Sequence, residues 1–253
     1  FGIHHQHVIG DSHSAAYCHV SYPIRHRLWT SWLLCTGGSA RGLANDNSKL
    51  GYRQTILAHL DRIAATSNAS RKVLFCFGQV DIEFVYYNKW LSDDIPNSCF
   101  NFIDCNAFIQ DTVRRYVSFL REVADKGISV SALGILPPCI EAPYLKRLLT
   151  AYAQLRPLHD RARGPLLRNI GLANVPDLRT RTFIHHLFNE ELAREARKHS
   201  IGFHSVFDKL LGEDGVVKLD YLSALGLGDH HLGCPSFQHH CADMLRTAAL
   251  EAS

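Results

Sequence analysis

The sequence predicts an α/β fold, a parallel sheet of about five strands with helices on both faces. Three observations carry this. Short apolar runs alternate with amphipathic helical stretches along the chain, as in strands joined by crossover helices. The runs are apolar at consecutive positions, which suits strands buried on both sides. Several runs end in glycine or proline, residues that stop a strand and open a loop.

"HHQHVIG" (residues 4–10) reads as the first strand and "SAAYCHV" as the helix after it. "LWTSWLLCT" is a second strand, rich in aromatic and apolar residues. "GGSARGLANDNS" is a glycine- and asparagine-rich loop. In "YRQTILAHLDRIAATS", Ile56, Leu57, Leu60 and Ile63 recur at helical spacing. "RKVLFCFG" is a strand ended by Gly78. Residues 102–126 form a long amphipathic helix with Val113, Val117, Leu120 and Val123 on one stripe, closed by Gly127. "ISVSALGILPP" is a strand stopped by Pro137 and Pro138. Residues 143–170 read as helix broken at Pro157 and at Gly164-Pro165. "FNEELAREARKHSIGFHSVFD" is a helix, a glycine and a strand. An irregular loop and a last helix, "FQHHCADMLRTAAL", complete the chain. Without a repeat or a linker, residues 1–253 read as one domain.

With 253 residues, 46% hydrophobic and 20% charged, the composition is that of a globular chain with ample material for a core. A net charge of +3 without a basic run argues against nucleic acid as partner. No stretch of ~20 apolar residues marks a membrane span, and no cationic-then-apolar segment marks a signal peptide. The 8 cysteines form no C-x-x-C pair, and their scatter points to a reducing, cytoplasmic setting. "NAS" at Asn68 is a weak glycosylation pattern.

In open parallel sheets, ligands bind beyond the carboxyl ends of the strands. The loop after the first strand carries Gly10, Asp11, Ser12 and His13. The next carries Gly37, Gly38, Ser39 and Asn45, and the loop after "VLFCF" carries Gly78, Gln79 and Asp81. Asp229, His230 and His231 follow the last strand. This is an inventory for acyl transfer. A serine needs a histidine to take its proton and a carboxylate to orient that histidine. Amide donors must meet the developing oxyanion. Gly-Asp-Ser alone is equally a turn and a helix cap.

Taken together, the blocks resemble the SGNH (GDSL-type) hydrolase superfamily. Gly10-Asp11-Ser12 matches its N-terminal block, and Gly38 falls where its glycine block belongs. "FGQVD" falls at its Gly-x-Asn-Asp block and "GDHHLG" at its Asp-x-x-His block, in the same order and across nearly the whole chain. The resemblance implies a flavodoxin-like three-layer α/β/α fold. It implies Ser12 as nucleophile and His231 as general base, with the backbone amides of Ser12 and Gly38 in the oxyanion hole. The expected chemistry is hydrolysis or transfer of an O-acyl group, acetyl above all, on a carbohydrate or polysaccharide. It needs no cofactor, and acetyl-CoA is the donor if the protein is a transferase.

Two departures stand out. Val80 occupies the position of the family's asparagine, and neighbouring Gln79 is the candidate substitute donor. Some bacterial relatives read Gly-Glu-Ile-Asp here, closer to "GQVD". In the last block Asp229 precedes His231 by two positions, not three, leaving Gly228 where the aspartate is expected. Asp229 is the candidate partner of His231, and a backbone carbonyl is the alternative. Asp11, His13, Ser39, Asn45, Asp81 and His230 are candidate substrate-binding residues. These departures also motivate another reading, a non-catalytic glycan-binding or assembly module that kept the fold.

The chain has 16 histidines, with adjacent pairs at His185-His186, His230-His231 and His239-His240. Neighbouring histidines on a strand or helix point apart, and no H-E-x-x-H or Cys/His spacing is present. The sequence therefore predicts no metal site.

Overall fold

The computed structural model describes residues 4–18, 28–65, 72–92, 100–155, 160–223, 229–233 and 235–250. Asn68, Pro157 and Gly228 lie outside them.

The strands β1 (His4–Gly10), β2 (Leu28–Leu34), β3 (Lys72–Cys76), β4 (Ser129–Leu133) and β5 (Gly202–His204) form one parallel sheet in the order β2-β1-β3-β4-β5. This is the doubly wound, flavodoxin-like order, whose switch point lies between β1 and β3. The helices are α1 (Ala15–Cys18), α2 (Ala40–Leu43), α3 (Tyr52–Ala65), α4 (Tyr86–Ser92), α5 (Phe102–Ala124), α6 (Ala142–Leu155), α7 (Asp160–Leu172), α8 (Leu178–Lys198) and α9 (Pro235–Leu250).

Strand alternation assigns the layers. Gln6 bonds the carbonyl of Leu245 on α9, whereas the next side chain, His7, meets His59 on α3. On β3, Lys72 reaches Ala248 of α9, and Phe75 packs on Phe119 of α5 from the other face. Thus α9 covers one side, with α1 against it, while α3 and α5 cover the other, with α8 packed on α5. Val8, Ile9, Val73, Leu74, Phe75, Ala132 and Leu133 are wholly buried between them. No helix among the described residues is long and apolar enough to cross a membrane. The described cysteines carry free thiols.

The helices depart from expectation in four places, the first being α2, a single turn capped by Ser39 inside "GGSARGLANDNS", which the sequence predicts as loop. The chain after β3 forms a π-helical turn (Asp81–Val85) leading into α4, where no helix is expected from the sequence. Its apolar residues follow no clean helical stripe, because Asp81, Glu83 and Asn88 are buried as well. Gly164-Pro165 does not break α7. Pro165 sits in its first turns and gives up one backbone bond there. Helix α8 begins at Leu178, where Asp177 caps it by accepting Thr180 N–H at 2.8 Å.

Gly78 turns the chain at the end of β3 with φ +121°, and a Cβ there would lie 2.4 Å from Phe188 Cζ. We expect Gly78→Ala to destabilise the fold by about 2–4 kcal/mol, from combined backbone strain and overpacking. Gly171→Ala, in open space on α7, should stabilise by about 0.5–1 kcal/mol. Urea unfolding midpoints check both.

Candidate active site

The turn after β1 is built by close approach. A Cβ on Gly10 would lie 2.6 Å from the carbonyl oxygen of Cys76, so only glycine lets the ends of β1 and β3 meet this closely. Asp11 N–H then donates to that same Cys76 carbonyl at 3.1 Å. Asp11 caps the one-turn 3-10 helix Ser12–Ser14 by accepting His13 N–H at 2.9 Å. Ser12 therefore stands at the switch point, on a turn pinned from below.

The loop before α9 brings the partners. His231 Nε2 lies 2.8 Å from Ser12 Oγ, and His231 Nδ1 lies 2.7 Å from Asp229 Oδ1. The same Asp229 oxygen accepts the backbone N–H of His231 at 2.9 Å. Spacing by two works because the carboxylate folds back over its own turn, gripping residue i+2 by backbone and ring together. A pocket of about 270 Å³ opens beside Ser12 and His231, walled by Ala15, Ala16, Leu136 and Leu232.

The electrostatics follow from burial and neighbours. Burial lowers the pKa of His231 and neighbouring His13 lowers it further, outweighing Asp229, so it falls below the ordinary imidazole value. Asp229 is raised by burial, but the His231 N–H groups outweigh that and hold it below the usual carboxylate value. His13 behaves oppositely. Burial depresses it, yet Asp11 and Glu83 more than compensate and its pKa is raised. His13 Nδ1 is 3.0 Å from Asp11 Oδ1, and its Nε2 is 3.9 Å from Glu83 Oε2. His230, desolvated and beside His13 and His231, is pushed down to about 3.

Several candidate residues take other work. Gly38 N–H donates to the Cys35 carbonyl at 2.7 Å, so it closes a turn and is not a free oxyanion donor. Both ends of the Gln79 amide are engaged, Nε2 donating to Glu83 at 2.8 Å and Oε1 accepting Leu136 N–H at 2.9 Å. Gln79 therefore does not replace the asparagine missing at Val80. Asp81 is buried, not facing substrate. It accepts the N–H groups of Ala40 at 2.6 Å and Arg41 at 3.3 Å, fastening the glycine loop to the end of β3. Burial pushes its pKa up to about 7 against those two bonds. Ser39 caps α2 through Gly42 N–H. Asn45 caps an exposed turn at Asn47. Asp11 is buried and holds the turn and His13. Ser12 N–H donates to no group among the described residues, so this candidate oxyanion donor is left free.

The structure adds residues that the motifs do not reveal. Glu83, His185 and Arg181 are buried behind His13. His185 donates from Nδ1 to the Leu136 carbonyl at 2.8 Å, and its Nε2 is 3.9 Å from Glu83. Arg181 is spent on the carbonyls of Pro176 and Ile140. The sequence signal for Glu83 is an acid inside the apolar run "IEFV".

No protein-family model and no curated protein sequence matches the chain. Solved structures do. A GDSL-like lipase from Bacteroides thetaiotaomicron superposes with a TM-score of 0.53 at 10% identity, over 98% of this chain and 89% of that one. A carbohydrate acetylesterase from Sinorhizobium meliloti superposes with a TM-score of 0.52 at 8% identity, over 99% and 100%. The likeness to GDSL-type hydrolases is thus one of fold, spanning nearly the whole chain.

A base with a lowered pKa is neutral at lower pH. In chelator-treated buffer, kcat/KM for p-nitrophenyl acetate should rise with pH through a midpoint below the ordinary histidine value of about 6.5. His13→Gln removes the positive neighbour and should move that midpoint upward. An unmoved midpoint would show that His13 does not bias His231.

Proposed function

We propose that this protein is a serine-dependent O-acyl esterase or acyltransferase working through an acyl-serine intermediate. The observation that carries the reading is the unbroken chain Ser12 Oγ, His231, Asp229, with contacts of 2.8 and 2.7 Å, at the switch point of the sheet. Ser12 Oγ attacks the ester carbonyl while His231 Nε2 takes its proton. The developing oxyanion is met by Ser12 N–H, at the positive end of the turn that Asp11 caps. His231 then protonates the leaving alcohol, or thiol. In the second half it deprotonates water or an acceptor hydroxyl, which releases the acyl group. Asp229 keeps the ring oriented with Nδ1 protonated and stabilises the imidazolium as it forms.

The pocket has room for the acyl group. Two alanines and two leucines wall about 270 Å³ beside Ser12, enough for an acetyl group or a longer chain. A carbohydrate as the alcohol component is supported by the acetylesterase that shares the fold and by the resemblance of "GQVD" to relatives that modify polysaccharides. Water as acceptor makes the protein an esterase. A second sugar hydroxyl, with acetyl-CoA as donor, makes it a transferase. The non-catalytic reading draws on the oxyanion hole, since Val80 offers no side-chain amide and Gly38 and Gln79 are engaged elsewhere.

Replacing Ser12 by alanine should abolish turnover of p-nitrophenyl acetate, and Asp229→Asn should lower kcat by roughly 10³–10⁴. Turnover persisting in the Ser12 variant would remove the nucleophile from this account. Glycan binding by an inert wild type would favour the binding module.

A further inference from the structure

The chain uses one small device twice. In Asp11-Ser12-His13 and in Asp229-His230-His231, the aspartate Oδ1 grips the histidine two residues on by its backbone N–H and by ring Nδ1. Both imidazoles are thereby fixed with Nδ1 toward an aspartate and Nε2 on the far side of the ring. That is the arrangement of metal-ligating histidines, whose second nitrogen is oriented by a carboxylate behind it. The two rings lie 4.6 Å apart by centroid, and His230 stands 5.2 Å from His13 and 3.9 Å from His231. One ring nitrogen from each of the three lies within 4.8 Å of the others. The expectation that neighbouring histidines diverge fails here: the rings of His230 and His231 lie 3.9 Å apart in an irregular segment, as those of His239 and His240 do on α9.

His13 Nε2 is buried without a hydrogen-bond partner. His13 itself lines the pocket beside Ser12. The carboxylates of Asp11, Asp229 and Glu83 surround the three rings, a field that favours a dication.

We propose that His13, His230 and His231 form a site for a divalent transition-metal ion of zinc type, and that its occupancy switches the serine chemistry off. Imidazole ligands suit such ions, and three histidines leave a position for solvent or a small ligand. The ion exchanges three water ligands for three imidazole nitrogens. His13 and His231 keep the Nδ1 protons given to their aspartates and donate the Nε2 lone pairs, and a proton on His13 Nε2 leaves to solvent. The Nε2 of His231 is the atom that holds Ser12 Oγ at 2.8 Å. An ion bound there takes the base away from the serine.

The test uses untagged, metal-stripped protein and Zn²⁺ in isothermal titration, with Co²⁺ absorption as a second probe of wild type. One Zn²⁺ per chain should bind. Affinity should fall at least tenfold in His13→Gln and in His230→Gln, each checked for folding by circular dichroism, and stay unchanged in Ser12→Ala and His239→Gln. Saturating Zn²⁺ should suppress p-nitrophenyl acetate turnover, and chelator should restore it. The site is refuted by absent one-to-one binding in wild type, by affinity indifferent to both His13→Gln and His230→Gln, or by loss confined to His239→Gln. The switch is refuted by full turnover with Zn²⁺ bound. Binding in Ser12→Ala is read without any turnover, so the metal site stands or falls separately from the nucleophile.

Discussion

The hydrogen bond between Ser12 Oγ and His231 Nε2 joins residues 219 positions apart, and the rest of the fold serves to make it. Ser12 is placed by β1, whose end is fastened to β3 through Asp11 N–H and the Cys76 carbonyl. His231 is placed just ahead of α9, the helix whose carbonyls at Leu245 and Ala248 receive Gln6 and Lys72 from the centre of the sheet. The two halves of the site are thus anchored to the same pair of central strands. The doubly wound order puts a crevice between those strands, and Gly10 is what lets them close beneath it.

Under the surface triad lies a second, buried layer of charge. Asp11, His13, Glu83, Gln79, His185 and Arg181 are all buried. Burying charge is costly unless each group is paired. Here the pairing is incomplete, since Asp11 Oδ2, Glu83 Oε2, His13 Nε2 and an Arg181 terminal nitrogen have no hydrogen-bond partner. Such orphaned groups concentrated in one place call for an explanation beyond stability. Two roles account for His13, which biases His231 electrostatically and offers an unused ligand nitrogen. Glu83 supplies negative charge to both.

The site was legible where chemistry is local. Asp11-Ser12-His13 and Asp229-His230-His231 are short segments whose side chains grip their own backbones, so sequence spacing nearly dictates geometry. The fold was legible for a similar reason, because continuous apolar runs and helical stripes report burial directly. Gly38 and Gln79 misled because an amide's availability depends on tertiary partners, here the Cys35 carbonyl, Glu83 and Leu136 N–H. Asp81 misled because an acid at a strand end suggests solvent, yet it faces the backbone of Ala40 and Arg41. Glu83 sits in a π-helical turn whose periodicity matches neither strand nor α-helix.

The chemistry proposed for this site rests on Ser12 being a nucleophile activated by His231. Reaction of the wild-type protein with a fluorophosphonate, followed by peptide mass mapping, tests it without needing the natural substrate. One adduct per chain should form, on the peptide carrying Ser12, and much more slowly when His231 is replaced by alanine. An unlabelled Ser12 in folded protein, or labelling indifferent to His231, would contradict it.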